Sequence, residues 1–259
     1  MQILGFQYDI TWQDKSANYA RVRSLVEAAA PEPGSFLVLP EMFATGFSME
    51  IDIVAEGEDG ATFDFLASLA RQRGSYIAAG LVNRADNGLG SNDAVVFGSD
   101  GHLVGKYRKM HPFSLGGEDE HYAAGLDPIV VDWNGIKVCP LVCYVLRFPE
   151  IFRTAVVRGA EVFVVIANWP RARQRHWEIL LKARAVENQA YVVGVNRVGR
   201  DPNLKYEGGS LIVDPRGEVV VDGADREEVI RAEIDRADLR EYRRRFPALR
   251  DMNRAFVHP

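Results

Sequence analysis

Apolar positions along this chain fall into runs of two periods. Val22, Leu25, Val26 and Ala29 recur at i, i+3, i+4 and i+7, the stripe of an amphipathic helix, and Phe65, Leu66 and Leu69 mark a second one. FLVLP (Phe36 to Pro40) lies between them, apolar at nearly every position, as expected of a strand covered on both faces. ILGFQYDI, SYIAAGLV and EVFVVIAN read as further strands, the last again apolar on both sides. SNDAVVFGSDG with HLVGKYRK, and IVVDWNGIKVCPLVC, read as hairpins that turn at Ser-Asp-Gly and at Asn134-Gly135. FPEIFRTAVVRG predicts a helix with Pro149 in its first turn and Gly159 just past its end. RQRHWEILLKARAVENQA predicts a long helix. YVVGVNRV, GSLIVDPRGEVVVDG and EEVIRAEI supply the remaining strands, and DRADLREYRRR a charged helix.

Helices and strands thus alternate in both halves with hairpins between them, which predicts a mixed α/β protein, sheets layered with helices, in one domain over residues 1–259. Linkers, low-complexity runs and internal repeats are missing from the sequence. At 259 residues, 47% apolar and 26% charged, it can bury one large core. A net charge of −5 offers no general basic surface, so no nucleic-acid partner is expected. An acidic substrate would need local Arg or Lys in its pocket. No apolar run reaches the roughly 18 residues that span a bilayer, and MQILGFQYDITW does not read as a signal peptide, so no membrane partner and a cytoplasmic location are expected. Zinc-type ligand spacing and Gly-rich phosphate loops are both missing, so no metal and no cofactor are implied.

The two cysteines, Cys139 and Cys143, are consistent with a reducing compartment. GIKVCPLVC is rich in β-branched residues, and in an extended chain the two Cα atoms lie about 13 Å apart. That is beyond the reach of a disulfide, about 7 Å. They are separate residues, and candidate chemistry sits where strands end: Glu41 after FLVLP, Lys109 after VGKYR and Cys143 after CPLV. Together they can work as base, oxyanion partner and nucleophile. A thiol with an ordinary pKa of about 8.5 needs a base to take its proton as it attacks, and Glu41 can be that base. Lys109 and the backbone N–H of Tyr144 can stabilise an oxyanion. Each also has an ordinary reading: a packing thiol, a helix-cap glutamate and a solvated lysine in a basic run.

LPEMFATGF, KYRKMHPF and LVCYVLRFPE resemble, in this order, the three signatures of the nitrilase superfamily of carbon–nitrogen hydrolases. ANWPRARQRHWEILLKARAVENQAYVVGVNRVG resembles the segment that follows them, so the likeness runs from the N-terminal strand to FPALRD. The resemblance implies a four-layer αββα sandwich and assigns the catalytic triad to Glu41, Lys109 and Cys143, with a thioester intermediate. It also implies a second glutamate that holds the lysine, with Glu118 better placed than Glu120 in an otherwise exposed acidic loop, and a homodimer or larger homo-oligomer. One departure concerns Val145, where the third signature carries Asp; Arg147 is expected to lose a charged partner and the turn around the nucleophile some of its order.

Within the superfamily the motifs resemble most the ω-amidase branch, which removes ammonia from small 2-oxo dicarboxylic acid monoamides such as 2-oxoglutaramate and 2-oxosuccinamate. On that reading Arg173 receives the substrate carboxylate, although Arg171 and Arg175 beside it form a basic face at a helix start. Tyr144, Trp169, Phe43 and Phe47 are the remaining expected pocket residues. Alternatives are a nitrile, an N-carbamoyl amine or another small amide as substrate, a non-catalytic protein of the same fold, or a Cys-His hydrolase. For the last, His176 is expected on the core-facing side of its helix beside Trp177, and His111 is expected to be structural.

Overall fold

The computed structural model describes residues 1–85, 88–253 and 255. Strand β1 (Gln2–Gln7) leads into helix α1 (Lys15–Ala29), which the Asp14 carboxylate caps by accepting from Ala17 N at 2.9 Å. Next come β2 (Phe36–Val38), the single-turn α2 (Ile51–Val54), α3 (Ala61–Arg73), β3 (Tyr76–Arg84), β4 (Gly90–Phe97), β5 (Leu103–Arg108) and another single turn, α4 (Glu118–His121). The second half runs β6 (Val131–Trp133), β7 (Ile136–Val142), α5 (Pro149–Val157), β8 (Val162–Ile166), α6 (Gln174–Asn188) and β9 (Tyr191–Val195). It continues with β10 (Val198–Arg200), β11 (Lys205–Glu207), β12 (Leu211–Val213), β13 (Val219–Asp222), β14 (Glu228–Glu233) and α7 (Arg236–Arg245).

Two six-stranded sheets form, in the orders β14-β1-β2-β3-β4-β5 and β13-β12-β9-β8-β7-β6. In each, three central strands are parallel and the flanking ones antiparallel: β1, β2 and β3 in one sheet, β7, β8 and β9 in the other. The two-residue alternation of β2 explains its uniformly apolar sequence. Phe36 and Val38 face the second sheet's core, while Leu37 and Leu39 join the layer under α1 and α3. On the other side α5 and α6 cover β8, whose five residues are all buried. Helix, sheet, sheet and helix follow one another as four layers, the expected αββα sandwich. The β6–β7 hairpin turns where expected, with Asn134 at φ 48° and Gly135 at φ 90°, both in the left-handed region such a turn requires.

The structure departs from expectation in the run YVVGVNRV. Ladder pairing stops at Val195, and Val198–Arg200 pairs instead with Lys205–Glu207 in a small separate hairpin. Asn196 causes the break. Its Oδ1 accepts from Trp169 N at 2.8 Å and from Arg197 N at 2.9 Å, and its Nδ2 donates to the carbonyls of Trp169 and Gly208. A side chain that takes over four backbone partners replaces the ladder.

Candidate functional site

The site forms where four strands stop. Glu41 follows β2, Lys109 follows β5, Cys143 follows β7 and Asn168 follows β8. Although far apart in sequence, they meet. Lys109 Nζ lies 3.0 Å from Glu41 Oε1 and 2.7 Å from Glu118 Oε2, and the Cys143 thiol sits beside them, close enough for the Glu41 carboxylate and the Lys109 ammonium to act on it. The structure therefore brings together all four expected residues, Glu41, Lys109, Cys143 and Glu118, and buries every one. Glu120, by contrast, is exposed.

Backbone strain marks the same place. Cys143 has φ 48°, and Met42, next to Glu41, has φ 45°; both are left-handed without being glycine. Each such residue costs on the order of 1–3 kcal/mol and persists only where its surroundings fix it. For Met42 the surroundings include Gly80 on β3. A Cβ there would lie 2.5 Å from Glu41 Cα and 2.6 Å from Met42 N, so only glycine lets the Glu41 turn press onto the sheet.

Glu41 is held from three sides. Asn92 Nδ2 donates to its Oε1 at 2.7 Å, Asn168 N donates to its Oε2 at 2.8 Å, and Asn168 Nδ2 donates to its backbone carbonyl. The same Asn92 amide donates to Glu118 Oε1 at 2.8 Å, so one neutral group ties the two carboxylates together beside the ammonium. Phe113 N supplies Glu118 with a further donor at 2.6 Å. Burial pulls the Lys109 ammonium toward losing its proton, but Glu118 and then Glu41 outweigh that and hold its pKa above the ordinary lysine value. Burial first, and the Glu41 carboxylate next, push the Cys143 thiol well above the usual thiol range against the pull of Lys109. The resting sulfur is a thiol, and it can attack only as its proton leaves. Glu41 is in place to receive that proton, and Lys109 carries the charge that would face an oxyanion.

A small cavity opens onto the thiol, lined by Phe47, Lys109, Phe113, Cys143, Tyr144, Arg147, Asn168, Trp169, Pro170, Arg173 and Leu204. Tyr144, Trp169, Arg173 and Phe47, the expected pocket residues, are among those that line it. Phe43 is not among the lining residues. After the left-handed turn at Met42 its ring packs under α1 and α3 with Tyr19 and Phe65, at 6.2 and 6.0 Å between centroids, on the outer side of the first sheet. His176 is also misplaced by the sequence reading, because Trp177 takes the buried side of α6 and leaves the preceding residue exposed. His111 stacks on Phe148 at 3.8 Å, and burial lowers its pKa.

Val145 is fully buried in the main core. Arg147 makes no ion pair among the described residues, but the turn does not depend on one: Arg184 Nε and Nη2 donate to the Leu146 carbonyl at 3.1 and 2.8 Å. Arg147 instead lies over Trp169, 4.9 Å from guanidinium to ring, and contacts His176 Nδ1 at 3.3 Å. We therefore expect Val145→Asp to weaken the protein, since it buries a carboxylate among apolar side chains. At about 1–3 kcal/mol for an unsatisfied polar group and 2–4 °C per kcal/mol at this size, thermal unfolding should show a loss of several degrees. A higher melting temperature would show that Asp restores a missing ion pair.

Asn92, Asn168, Asn196 and Arg147 escaped the sequence reading as site residues. A signal existed for Asn168 and Asn196, since each ends an apolar strand at a position where an amide without partners would be costly.

Three comparisons bear on this geometry. The family model described as carbon-nitrogen hydrolase matches residues 5–244. "Omega-amidase YafV" of Escherichia coli (strain K12) is 37% identical over 254 residues, 97% of this chain and 96% of that protein. "2-oxoglutaramate amidase" of Bacillus subtilis (strain 168) is 34% identical, with 96% of each covered. Among solved structures, the CN-hydrolase superfamily protein XC1258 from Xanthomonas campestris, which carries an arsenic adduct in its active site, superposes with a TM-score of 0.93 at 36% identity, covering 98% of this chain and 97% of that one.

Proposed function

The chain belongs to the carbon–nitrogen hydrolase family and is an amide hydrolase, and on that footing we propose that its substrates are small 2-oxo dicarboxylic acid monoamides. The observation that carries this reading is a pair of uncommitted guanidiniums in the cavity. Arg147 and Arg173 both line it, both are half-buried, and neither has a carboxylate partner among the described residues. Arg171, by contrast, is paired with Glu207 at 2.7 Å. Arg173 lies over Phe113 at 5.1 Å and Arg147 over Trp169, so the aromatic faces orient both forks. An unpaired planar fork suits a carboxylate at the more exposed end, while the scissile amide reaches the buried thiol. The α-ammonium of an amino acid such as glutamine would stand beside two positive charges, whereas a neutral 2-oxo group would not.

In the proposed reaction the Cys143 thiol gives its proton to Glu41 as sulfur attacks the amide carbon. Lys109 and the Tyr144 N–H face the oxygen that becomes negative. The tetrahedral species collapses to a thioester as the nitrogen takes the proton from Glu41 and leaves as ammonia. Water, deprotonated by Glu41, then attacks the thioester, and the dicarboxylate departs as the thiol regains its proton.

Ammonia release from 2-oxoglutaramate, glutamine, an N-carbamoyl amino acid and an aliphatic nitrile tests the substrate class. The expected order puts 2-oxoglutaramate first by a wide margin; equal rates on an uncharged amide of the same length would defeat the reading. Arg173→Gln and Arg147→Gln should each raise KM for 2-oxoglutaramate by about 10–100-fold with a smaller change in kcat, the cost of a charged hydrogen bond present in both ground and transition state. Steady-state kinetics on both variants would reveal it.

A further inference from the structure

We propose that Leu204 sets the length of substrate the site accepts, acting as a fixed stop at the rim of the cavity. It lines the cavity together with Cys143 and Arg173 while remaining 39% exposed, so it stands between the enclosed space and solvent. A lone apolar residue on a loose loop could swing aside, but the backbone that carries this one is anchored. The Asp201 carboxylate accepts from Asn203 N and from Leu204 N, both at 2.7 Å, and its other oxygen accepts from Tyr206 Oη at 2.5 Å. Tyr206 in turn lies over the buried guanidinium of Arg197 at 4.7 Å. That guanidinium donates through one nitrogen to Asp9 Oδ1, to the Ile10 carbonyl and to the Arg200 carbonyl, so the β10–β11 turn is tied at its base to the segment after β1.

The same hairpin is also tied to the turn that carries Arg173. Glu207 on β11 pairs with Arg171, two residues before Arg173. The spacing between Leu204 and the Arg173 guanidinium is therefore set by two polar anchors rather than by a mobile flap. A substrate whose carboxylate is held at Arg173 and whose amide carbon must meet Cys143 has its chain confined between Leu204, Pro170, Trp169 and Phe47. An added methylene presses on a side chain whose backbone is held in place. One methylene in such an apolar pocket changes kcat/KM by roughly 10–200-fold.

The placement of the carboxylate rests on the proposed substrate class, whereas the stop itself does not. The test compares 2-oxosuccinamate, 2-oxoglutaramate and the monoamide one carbon longer, and in parallel a series of uncharged straight-chain amides of rising length. Wild-type protein, Leu204→Ala and Leu204→Phe are compared with folding checked by circular dichroism. Leu204→Ala should raise the ratio of kcat/KM for the longest monoamide over 2-oxoglutaramate by about 10-fold, and Leu204→Phe should shift preference toward 2-oxosuccinamate by a similar factor. Length ratios unchanged in both folded variants would overturn the proposal. If the uncharged series alone is hydrolysed and its length preference moves with residue 204, the stop stands and the carboxylate reading falls. Asp201→Ala, with Leu204 intact, removes the acceptor and should blur the length preference in either series; a folded variant with a preference as sharp as the wild type's would show that the anchor is irrelevant and overturn the fixed stop.

Discussion

Cys143→Ala is expected to fold normally and to lose ammonia release from its best substrate by about 10⁴-fold or more, because Cys143 carries the only thiol among the described residues that line the cavity. The stability change should be small, since the substitution removes one sulfur and leaves a void the size of a single heavy atom, costing about 1 kcal/mol. Cys143→Ser would be nearly as inactive. An alkoxide is much harder to form than a thiolate, and the thiol already lies above its ordinary range through burial and the neighbouring Glu41 carboxylate. Intact-mass measurement on quenched wild-type protein should find an adduct of the acyl group, absent from Cys143→Ala. Ammonia release that persists in Cys143→Ala would remove covalent catalysis by this residue, and a Lys109- or histidine-centred mechanism would have to replace it.

Much of the site was legible because its chemistry sits at strand ends, and strand ends are written locally. FLVLP, CPLV and EVFVVIAN each announce a buried strand by apolar character on both faces, and the residue that follows is released from the ladder. The three signatures added the order in which those ends matter. What stayed hidden depends on pairings across the fold. Phe43 looked like a pocket residue by its closeness to Glu41, yet a left-handed Met42 reverses the chain and sends the ring to the opposite side of the sheet. His176 and Trp177 are neighbours about 100° apart around a helix, and periodicity alone gave both to the core. The resemblance names Arg173 for the substrate carboxylate, but residue pattern alone does not separate it from its neighbours. Arg171, Arg173 and Arg175 are equivalent in sequence until Glu207, thirty-odd residues later, pairs with one of them. Leu204 sits in a polar stretch, DPNLKYE, whose purpose emerges only when the Asp201 carboxylate is seen gripping its own turn.

Lys109→Met tests the electrostatic core of the site, and it should damage stability and activity together. Among the described residues, Lys109 is the only cation in contact with the two buried carboxylates Glu41 and Glu118, which also share one Asn92 amide. Removing it leaves two negative groups facing each other without a counter-charge, and breaking a buried pair from one side costs about 3–5 kcal/mol. For a chain of this size the melting temperature should fall by about 10 °C. Turnover should fall by at least 10²–10³-fold, because in the proposed reaction Lys109 supplies the charge that faces the oxyanion and holds Glu41 as the base. The sign of the pH dependence follows from the raised lysine pKa in the folded protein. The stabilisation is fully present below the unfolded value of 10.5 and is lost as pH rises through the higher folded value. The stability gap between wild type and Lys109→Met should accordingly stay flat from pH 6 to about 9 and narrow only above pH 10.5. Adding Glu118→Gln to Lys109→Met removes one of the stranded charges and should recover part of the lost stability without recovering turnover, a coupling that a double-mutant cycle measures directly. A Lys109→Met protein as stable as the wild type would mean that the two carboxylates do not need the ammonium, and the account of the site as a carboxylate–ammonium–carboxylate bridge holding the base against the thiol would fail with it.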